Sequence, residues 1–307
     1  MNKTKLLMLI GLPASGKSTV SIELARKYDA NVHSSDELRL ELFGSYNVQD
    51  KNTELFEELH DRIVGDLSSG KSVIYDATNL SMKRRRHFLS QMPSNVENIA
   101  VIVATPIEIC LLRDEHRKKK VGSKVINRMW NSFQFPICGE GFDDIKIIYT
   151  GKVNKIDRFA KYIYLADNFP QDNPNHTLTV GRHMRKSFDY YCYNCDNRTQ
   201  HDNVLLSAII LHDISKPWAK TFKDKNGIMT DVAKYYGHEN MGSYESLFCN
   251  AFAENDEETI ETAQLIQYHM RHYGLNSSKS VNKFKKLVGE KMYEDLLIIN
   301  QCDKMGK

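Results

Sequence analysis

A glycine-rich octapeptide near the N-terminus has the residue types that bind a nucleoside triphosphate. Residues 11–18 match the spacing G-x-x-x-x-G-K-[ST], directly after an apolar run at Leu6–Ile10 and before a helical pattern. Glycines let the backbone wrap around phosphates, and the N–H groups of the helix N-terminus favour negative charge. We expect Lys17 to reach the β- and γ-phosphates of ATP and Ser18 to bind Mg²⁺. The residues expected to contact ATP are Gly11, Pro13, Ser15, Gly16, Lys17, Ser18, Thr19 and Asp76.

Two acidic residues follow apolar runs later in the first half of the chain. Asp36 comes shortly after a weak run at Asn31–His33, and Asp76 follows a stronger run at Ser72–Tyr75. In open parallel sheets, ligands bind at the carboxyl ends of the strands. A carboxylate there can accept the proton of an attacking hydroxyl, which is the role we expect for Asp36. Asp76 is expected to hold the metal through water. The alternatives are a surface ion pair between Asp36 and Arg39 and a turn cap at Asp76.

Two arginines, Arg113 and Arg117, are four residues apart, so they share one face of a predicted helix. A lid that presents two arginines can neutralise charge on a transferring phosphoryl group. The basic residues that follow are Lys118, Lys119, Lys120 and Lys124. This basic segment is expected to attract a polyanion, and the alternative is a solvated helix face.

Histidines of the second half occur in an order that indicates a metal site. His212 and Asp213 are adjacent at the end of an apolar helical pattern that starts near Val204, and Lys216 follows one helical turn later, where it is expected to bind a phosphate. Imidazole and carboxylate ligands without sulfur suit one or two ions of Mn²⁺, Fe, Co²⁺, Ni²⁺ or Zn²⁺. Two such ions about 3.5–4 Å apart activate a water and clamp a phosphate. The expected ligands are His183, His212, Asp213, His238, His269 and Asp303.

Other residues of metal-binding type are expected to have no such role. His176, His201 and His272 are interpreted as ordinary core or surface residues, with a substrate contact as the alternative for His176. Cys192 and Cys195 form a single C-x-x-C with no second pair at zinc-site spacing. We therefore expect reduced thiols in a cytoplasmic protein.

These residues need two kinds of scaffold. Up to residue 150, apolar runs alternate with helical patterns such as Leu55, Leu59, Ile63 and Leu67, which predicts a doubly wound α/β domain with a parallel sheet and helices on both faces. After Thr150 strand-like runs nearly vanish, and helical patterns predict an all-α domain. We place the boundary near the polar stretch 151–154, which gives domains at residues 1–152 and 153–307.

Composition excludes several classes of protein. The chain has 307 residues, 41% of them hydrophobic, which suits two globular domains of ordinary size. The net charge is only +3, so any site for a polyanion must be a local patch. There is no apolar run of eighteen residues or more and no signal-peptide pattern at the N-terminus, so we expect no membrane partner.

The first 150 residues or so resemble the 5′-polynucleotide kinase family. The resemblance rests on the G-x-P-x-S-G-K-S loop, the D-x-x-R element at residues 36–39, the D-x-T-N element at residues 76–79 and the R-x-x-x-R element at residues 113–117. It implies that Asp36 activates a 5′-hydroxyl, that Arg39 contacts a phosphate of the acceptor, and that Arg113 and Arg117 contact ATP phosphates. Familiar members also have an aspartyl phosphatase, but no D-x-D-x-T element occurs after residue 150 here.

Residues from about 157 to 307 resemble the HD phosphohydrolase superfamily. The order H…HD…H…H…D, with the H-D-x-x-K element at residues 212–216, is typical of that superfamily. The Gly-His-Glu context at residues 237–239 also resembles the HD module of bacterial tRNA nucleotidyltransferases. The resemblance implies metal-dependent hydrolysis of phosphomonoesters or phosphodiesters, including 2′,3′-cyclic phosphates.

Together the two halves predict an enzyme that repairs RNA or DNA ends. The kinase half would phosphorylate a 5′-hydroxyl and the HD half would remove a 3′-phosphate or open a 2′,3′-cyclic phosphate, so that a ligase can act downstream. The first alternative is a nucleoside or nucleotide kinase fused to a nucleotidase. The second is an NTP-driven switch whose HD half senses a nucleotide.

Overall fold

The computed structural model describes residues 3–48, 50–174, 177–194 and 202–306, and the chain divides into two compact units. The first unit comprises Met1–Ile126 and Pro136–Gly151, and the second comprises Asn127–Phe135 and Lys152–Lys307. The predicted boundary at residue 152 leaves residues 127–135 in the first domain, whereas they pack with the second unit. The local sequence pattern of a segment does not show which distant residues it packs against. His176 and His201, expected to be ordinary core or surface residues, and Cys195, expected to be a reduced thiol, lie outside the described residues.

The first unit is built around a parallel sheet of five strands. Its elements in chain order are β1 (Thr4–Ile10), α1 (Lys17–Tyr28), β2 (Ala30–Ser34), α2 (Ser35–Phe43), α3 (Asn52–Ser68), β3 (Ser72–Asp76), α4 (Met82–Leu89), β4 (Val96–Ala104), α5 (Ile107–His116), α6 (Ser123–Asn131) and β5 (Asp144–Tyr149). The strand order is β2-β3-β1-β4-β5, and every neighbouring pair is parallel. The prediction of an α/β fold with a parallel sheet is confirmed.

The sheet explains why the apolar runs differ in strength. β1 lies between β3 and β4, and its residues from Leu6 to Ile10 are fully buried, as expected for a strand covered on both faces. β2 is an edge strand, and Val32 is exposed, which accounts for the weak pattern at residues 31–33. The loops after all five strands meet at one edge of the sheet because the strands are parallel.

The second unit is mainly helical. Its elements in chain order are α7 (Lys155–Asp167), α8 (Val180–Asn194), α9 (Asp202–Leu211), α10 (Lys216–Ala219), β6 (Thr221–Lys223), β7 (Met229–Lys234), α11 (His238–Cys249), α12 (Asp256–Tyr268), α13 (Ser278–Val288) and α14 (Glu290–Met305). Helices α8, α9, α11, α12 and α14 pack against one another, and they supply or adjoin every predicted metal ligand. The predicted helical character of this region is confirmed.

A short antiparallel ribbon, β6 and β7, is the departure from an all-α second unit. Thr221 pairs with Lys234, and Lys223 pairs with Met229. The turn between the strands places Gly227 at φ +83°, and Asp224 accepts hydrogen bonds from two backbone N–H groups of the same turn. The ribbon was not predicted because its residues are mostly polar and show no alternation of apolar side chains.

Residues 127–135 pack within the second unit through aromatic side chains. The rings of Trp130 and Trp218 lie 6.2 Å apart, and those of Phe133 and Tyr244 lie 4.8 Å apart. The backbone N–H of Phe135 donates to the side chain of Gln267 at 3.0 Å. In the described part of the chain, no helix combines the length and the apolar character that crossing a bilayer requires.

Candidate active sites

The glycine-rich loop between β1 and α1 has the geometry of a phosphate cradle. Gly16 has φ +93° and precedes α1 without any side-chain cap, which leaves the N-terminus of the helix accessible to an anion. Gly11 has no room for a side chain, because a Cβ there would lie 2.9 Å from the carbonyl oxygen of Val103. Lys17 Nζ donates to the carbonyl oxygens of Gly11 and Leu12 at 3.0 and 2.7 Å. Burial lowers the pKa of Lys17.

Two threonines that follow strands fix this loop. Thr105 after β4 and Thr150 after β5 each donate a hydroxyl hydrogen bond to the carbonyl oxygen of Ser15, at 2.8 and 2.6 Å. Arg113 donates to the carbonyl oxygen of Thr150 at 2.6 Å, and its Nη1 would lie 3.6 Å from a Cβ built on Gly16. Neither threonine was predicted from the sequence, although each is a hydroxyl residue directly after the carboxyl end of a strand.

The two predicted carboxylates lie at the same edge of the sheet as Lys17. Asp76 accepts a hydrogen bond from Ser18, and both Asp76 and Asp36 act electrostatically on Lys17. Burial raises the pKa of Asp76, although Lys17 and Ser18 oppose the shift. This arrangement suits a metal held between a hydroxyl and a carboxylate. Asp36 is exposed at the start of α2, and its Oδ2 lies 2.6 Å from Lys119 Nζ.

Arg39 and Arg117 both bind other protein groups in this structure instead of pointing freely towards a phosphate site. Arg39 is buried, and it donates to the carbonyl oxygen of Val48 and to Asn52 Oδ1. Arg117 pairs with Asp114, and the same carboxylate accepts N–H groups from residues 121 and 122. Both arginines therefore stabilise loops in this structure, and their contacts with acceptor or ATP phosphates stay predictions.

A buried ion pair behind the Asp76–Asn79 loop is a further feature that sequence reasoning missed. Arg85 on α4 donates two hydrogen bonds of 2.7 Å to Glu140, and both side chains are fully buried. Arg85 also donates to the carbonyl oxygen of Asn79 at 2.9 Å. Burial raises the pKa of Glu140 in spite of Arg85. The pair therefore serves to hold the loop in place more than to add net stability.

All six predicted metal ligands come together in the second unit, and each is buried. His183 lies on α8, His238 begins α11, and Asp303 lies on α14. His212 and Asp213 follow α9, and His269 follows α12. Their ligand atoms form two groups in which all members lie within 4.8 Å of one another: His183, His212, Asp213 and Asp303, and Asp213, His238 and His269.

Asp213 belongs to both groups because its two oxygens face opposite ways. Oδ2 lies 3.4 Å from the Nε2 atoms of His183 and His212, and Oδ1 lies 3.3 Å from His238 Nε2 and 3.8 Å from His269 Nε2. A carboxylate in this position can bridge two metal ions.

The hydrogen bonds of the imidazoles fit metal ligands. The Nδ1 atoms of His212, His238 and His269 each lie 2.7 Å from a backbone carbonyl oxygen, namely those of Ile209, Tyr235 and Ile266. A carbonyl oxygen only accepts, so each Nδ1 holds a proton, and Nε2 is the atom through which a neutral ring presents its lone pair. The Nε2 atoms of His238 and His269 nevertheless lie only 3.3 Å apart. Two converging lone pairs fit a cation between them, which the donor set of imidazoles and carboxylates would hold.

Burial and neighbouring charges shift the pKa values of the cluster residues in different directions. Burial and the neighbouring His238 and His212 lower the pKa of His269 to about 3, so this ring stays neutral, as a metal ligand must be. Burial disfavours charge on His212 too, but Asp213 and Asp303 outweigh it and raise its pKa to about 10. Burial also opposes ionisation of Asp303, yet hydrogen bonds from His183 and His212 hold its pKa well below the ordinary range.

Side chains around the ligands orient them. Lys216 Nζ lies 2.6 Å from Asp213 Oδ2 and donates to Gln171 Oε1 at 2.8 Å. The hydroxyl of Tyr273 donates to Asp303 Oδ2 at 2.9 Å. Gln171 and Tyr273 were not predicted, since each lies outside the histidine motifs and reaches the cluster only through the fold. His272 is in neither metal group, and its ring contacts Asn300.

A cavity of about 500 Å³ opens next to the cluster within the second unit. Its lining includes four buried polar residues, here called its inner part: Asp213, Lys216, His238 and Asp303. The remaining lining residues come from the ribbon end, the turn after α12 and the loop before α8: Asn173, Ala233, Lys234, Tyr235, Tyr236, Met270 and Tyr273. The cluster is therefore accessible to a small molecule or a chain end.

Comparisons with known proteins agree with the fold of the first unit. Residues 6–136 match the protein family described as an AAA domain. An L-seryl-tRNA(Sec) kinase of Methanococcus maripaludis is 28% identical over 176 residues, which is 53% of this chain and 66% of that protein. A chain of a Pnkp1/Rnl/Hen1 complex is 25% identical and is matched over 40% of this chain and 43% of its own, with a TM-score of 0.35. A fungal RNA kinase is 13% identical over 65% of this chain and 91% of its own, also with a TM-score of 0.35.

Two of these likenesses cover the relative only in part. This chain spans just under two thirds of the M. maripaludis protein and under half of the chain from the RNA-repair complex. The family match and the loop geometry place a P-loop domain at residues 6–136.

Proposed function

We propose that this chain is a bifunctional end-healing enzyme, with an ATP-dependent 5′-hydroxyl polynucleotide kinase in the first unit and a metal-dependent HD-type phosphohydrolase in the second. The observation on which the second activity depends is Asp213, whose two oxygens face separate groups of imidazoles. The first activity depends on the convergence of Lys17, Ser18, Asp76 and Asp36 at one edge of the sheet. One site that adds a phosphate and another that removes one would together process the 5′ end and the 3′ end of a broken strand.

In the kinase, Asp36 accepts the proton of the 5′-hydroxyl as its oxygen attacks the γ-phosphorus of ATP, and ADP leaves. Lys17 neutralises the β- and γ-phosphates, and Ser18 with Asp76 would hold Mg²⁺. Arg113, fixed beside Gly16 by Thr150, stabilises charge on the transferring group. The exposure of Asp36 leaves space for a polymeric acceptor.

In the hydrolase, two bound divalent ions would supply an activated water and neutralise phosphate charge. The imidazoles of His183, His212, His238 and His269, with Asp213 and Asp303, would hold those ions. Lys216, aimed at the cavity beside Asp213, orients the phosphate. Attack on a terminal 3′-phosphate or on a 2′,3′-cyclic phosphate breaks one P–O bond and leaves a hydroxyl on the ribose.

The decisive experiment uses one RNA with a 5′-hydroxyl and a 2′,3′-cyclic phosphate, γ-labelled ATP, Mg²⁺ and Mn²⁺, with both ends analysed separately. We expect label at the 5′ end and loss of the cyclic phosphate. Lys17→Ala should abolish only the first change and Asp213→Ala only the second. A protein that labels neither RNA nor DNA would overturn the kinase proposal, and ends left intact with every divalent metal would overturn the hydrolase proposal.

A kinase of smaller acceptors is the second candidate. The relative named L-seryl-tRNA(Sec) kinase is a reason to test RNA before free nucleosides. Competition decides between the candidates: label transfer to a 5′-hydroxyl oligonucleotide should resist an excess of nucleosides. ATP hydrolysis without transfer to any acceptor would instead favour a nucleotide-driven switch.

A further inference from the structure

The cavity beside the metal cluster has two chemically different parts. Its inner part is polar and charged and includes Asp213, Lys216 and Asp303. Its outer wall includes three large apolar side chains that are partly exposed: Tyr236 at 38%, Met270 at 40% and Tyr273 at 46%. A site with charge at one end and aromatic surface at the other fits a ligand with the same polarity.

The ring of Tyr273 and the backbone of Tyr236 are held in place, although both side chains are partly exposed. The hydroxyl of Tyr273 donates to Asp303, so its ring is fixed relative to the metal cluster. The carbonyl oxygen of Tyr236 accepts a hydrogen bond of 3.0 Å from Asn131, also in the second unit. Gly237 follows with φ +78°, and a Cβ there would lie 2.0 Å from Asn131 Oδ1. Aromatic side chains have few rotatable bonds, so their exposed faces lose little entropy when they bind a flat ring.

We propose that this outer wall is a nucleoside subsite, in which the base of a terminal nucleotide packs against Tyr236, Met270 and Tyr273 while its phosphate lies at the metal cluster. This proposal rests on the proposed hydrolase. It specifies that the enzyme recognises the base of its substrate as well as the phosphate. A volume of about 500 Å³ is within the ordinary range for a site of that size.

The charge of the wall supports a nucleic-acid end as the occupant. Lys234, at the end of the ribbon, lines the same cavity, and Lys225 Nζ lies 5.7 Å from the ring of Tyr236. Cations beside an aromatic face suit a base with a neighbouring backbone phosphate. The end of the ribbon thus places a cation, Lys234, in the same cavity as the stacking surface.

The test compares two RNA ends that differ only in the base. One oligonucleotide ends in adenosine 3′-phosphate, and the other ends in an abasic ribose 3′-phosphate; both are assayed with the full chain loaded with Mn²⁺. We expect the native protein to favour the base-bearing end by about tenfold in kcat/KM, mostly through KM, since stacking of one base on an aromatic ring is worth that much. Tyr236→Ala should reduce the preference to near one, and Tyr236→Phe should retain it.

The matched control is Tyr164→Ala on α7, a tyrosine that is 71% exposed and outside the cavity. It should keep the preference for the base. A native preference near one, or an equal loss on both ends in Tyr236→Ala, would overturn the subsite.

Binding gives a second readout that does not need turnover. Calorimetric titration of the full chain with adenosine 3′-phosphate and with ribose 3-phosphate should show tighter binding of the nucleotide, lost in Tyr236→Ala and kept in Tyr164→Ala. If neither RNA end is hydrolysed, the proposed hydrolase fails, and this titration alone decides the subsite. Equal binding of the two compounds would then overturn it.

Discussion

Asp303 Oδ1 lies 3.0 Å from His183 Nε2, which joins α14 to α8 at the centre of the second unit. This contact completes one of the two metal groups, because His183 and Asp303 belong to that group and not to the other. Two sites that share only Asp213 should therefore be separable by mutation.

Asp303→Asn should lower the metal content of the purified protein from about two divalent ions per chain to about one, because the amide is a weaker ligand than the carboxylate. Elemental analysis after equilibration with Mn²⁺ measures it. Asp231→Asn, at an exposed position on β7, is the matched control and should bind as the native protein does. Full metal content in Asp303→Asn would remove this residue from the ligand set.

Asp36→Asn should reduce transfer of label to a 5′-hydroxyl oligonucleotide by about 10²- to 10⁴-fold, the usual contribution of a general base. Hydrolysis of the 3′ end should not change, since that site is built from other residues. Initial rates of both reactions on one substrate measure the two effects. Asp61→Asn on α3, also exposed, should retain the kinase rate. A kinase rate in Asp36→Asn equal to that of the control would exclude Asp36 as the base.

His60 should make the first unit less stable in mild acid. Burial beside Phe88 and Tyr75 lowers its pKa from 6.5 to about 4, so between these pH values the unfolded chain binds a proton that the folded chain does not. The free energy of unfolding should therefore fall as the pH drops from about 6.5 towards 4, by about 1–2 kcal/mol after allowance for solvent screening.

Urea denaturation at pH 7.5 and pH 5.0 tests the contribution of His60. The difference between the two pH values should be smaller in His60→Leu than in the native protein, whatever the variant costs at neutral pH. His116→Gln, at an exposed position on α5, should keep the native difference. An unchanged pH dependence in His60→Leu would show that this ring titrates normally.

Glu140→Gln should destabilise the first unit by about 3–5 kcal/mol, because it leaves the charge of Arg85 buried without its partner. Urea denaturation of the variant measures the loss. The double variant Arg85→Met with Glu140→Leu should recover most of that stability, since it leaves no buried charge. A double variant as unstable as Glu140→Gln would mean that packing, not charge, decides the effect.

The local sequence pattern was sufficient to predict much of the fold and the candidate residues of both sites. The strands β1, β3 and β4 were predictable because burial on both faces requires continuous apolar residues, and β5, at the edge of the sheet, was predictable from its isoleucines. The P-loop was predictable because the backbone of a phosphate cradle needs glycine at fixed positions, as the φ of Gly16 shows. The order of histidines and aspartates was recognisable because only a few residue types bind metal ions.

The sequence by itself thus determined the residue types, their order and the elements on which they lie. Only the tertiary structure decided that Asp213 faces two metal groups, that Lys119 pairs with Asp36, that Arg85 meets Glu140 and that Tyr236 and Tyr273 line one cavity. Each of these contacts joins residues on separate elements, and its distance depends on how those elements pack. Helical and strand periodicity specifies which face of an element is buried, but it contains no information about which distant face will cover it.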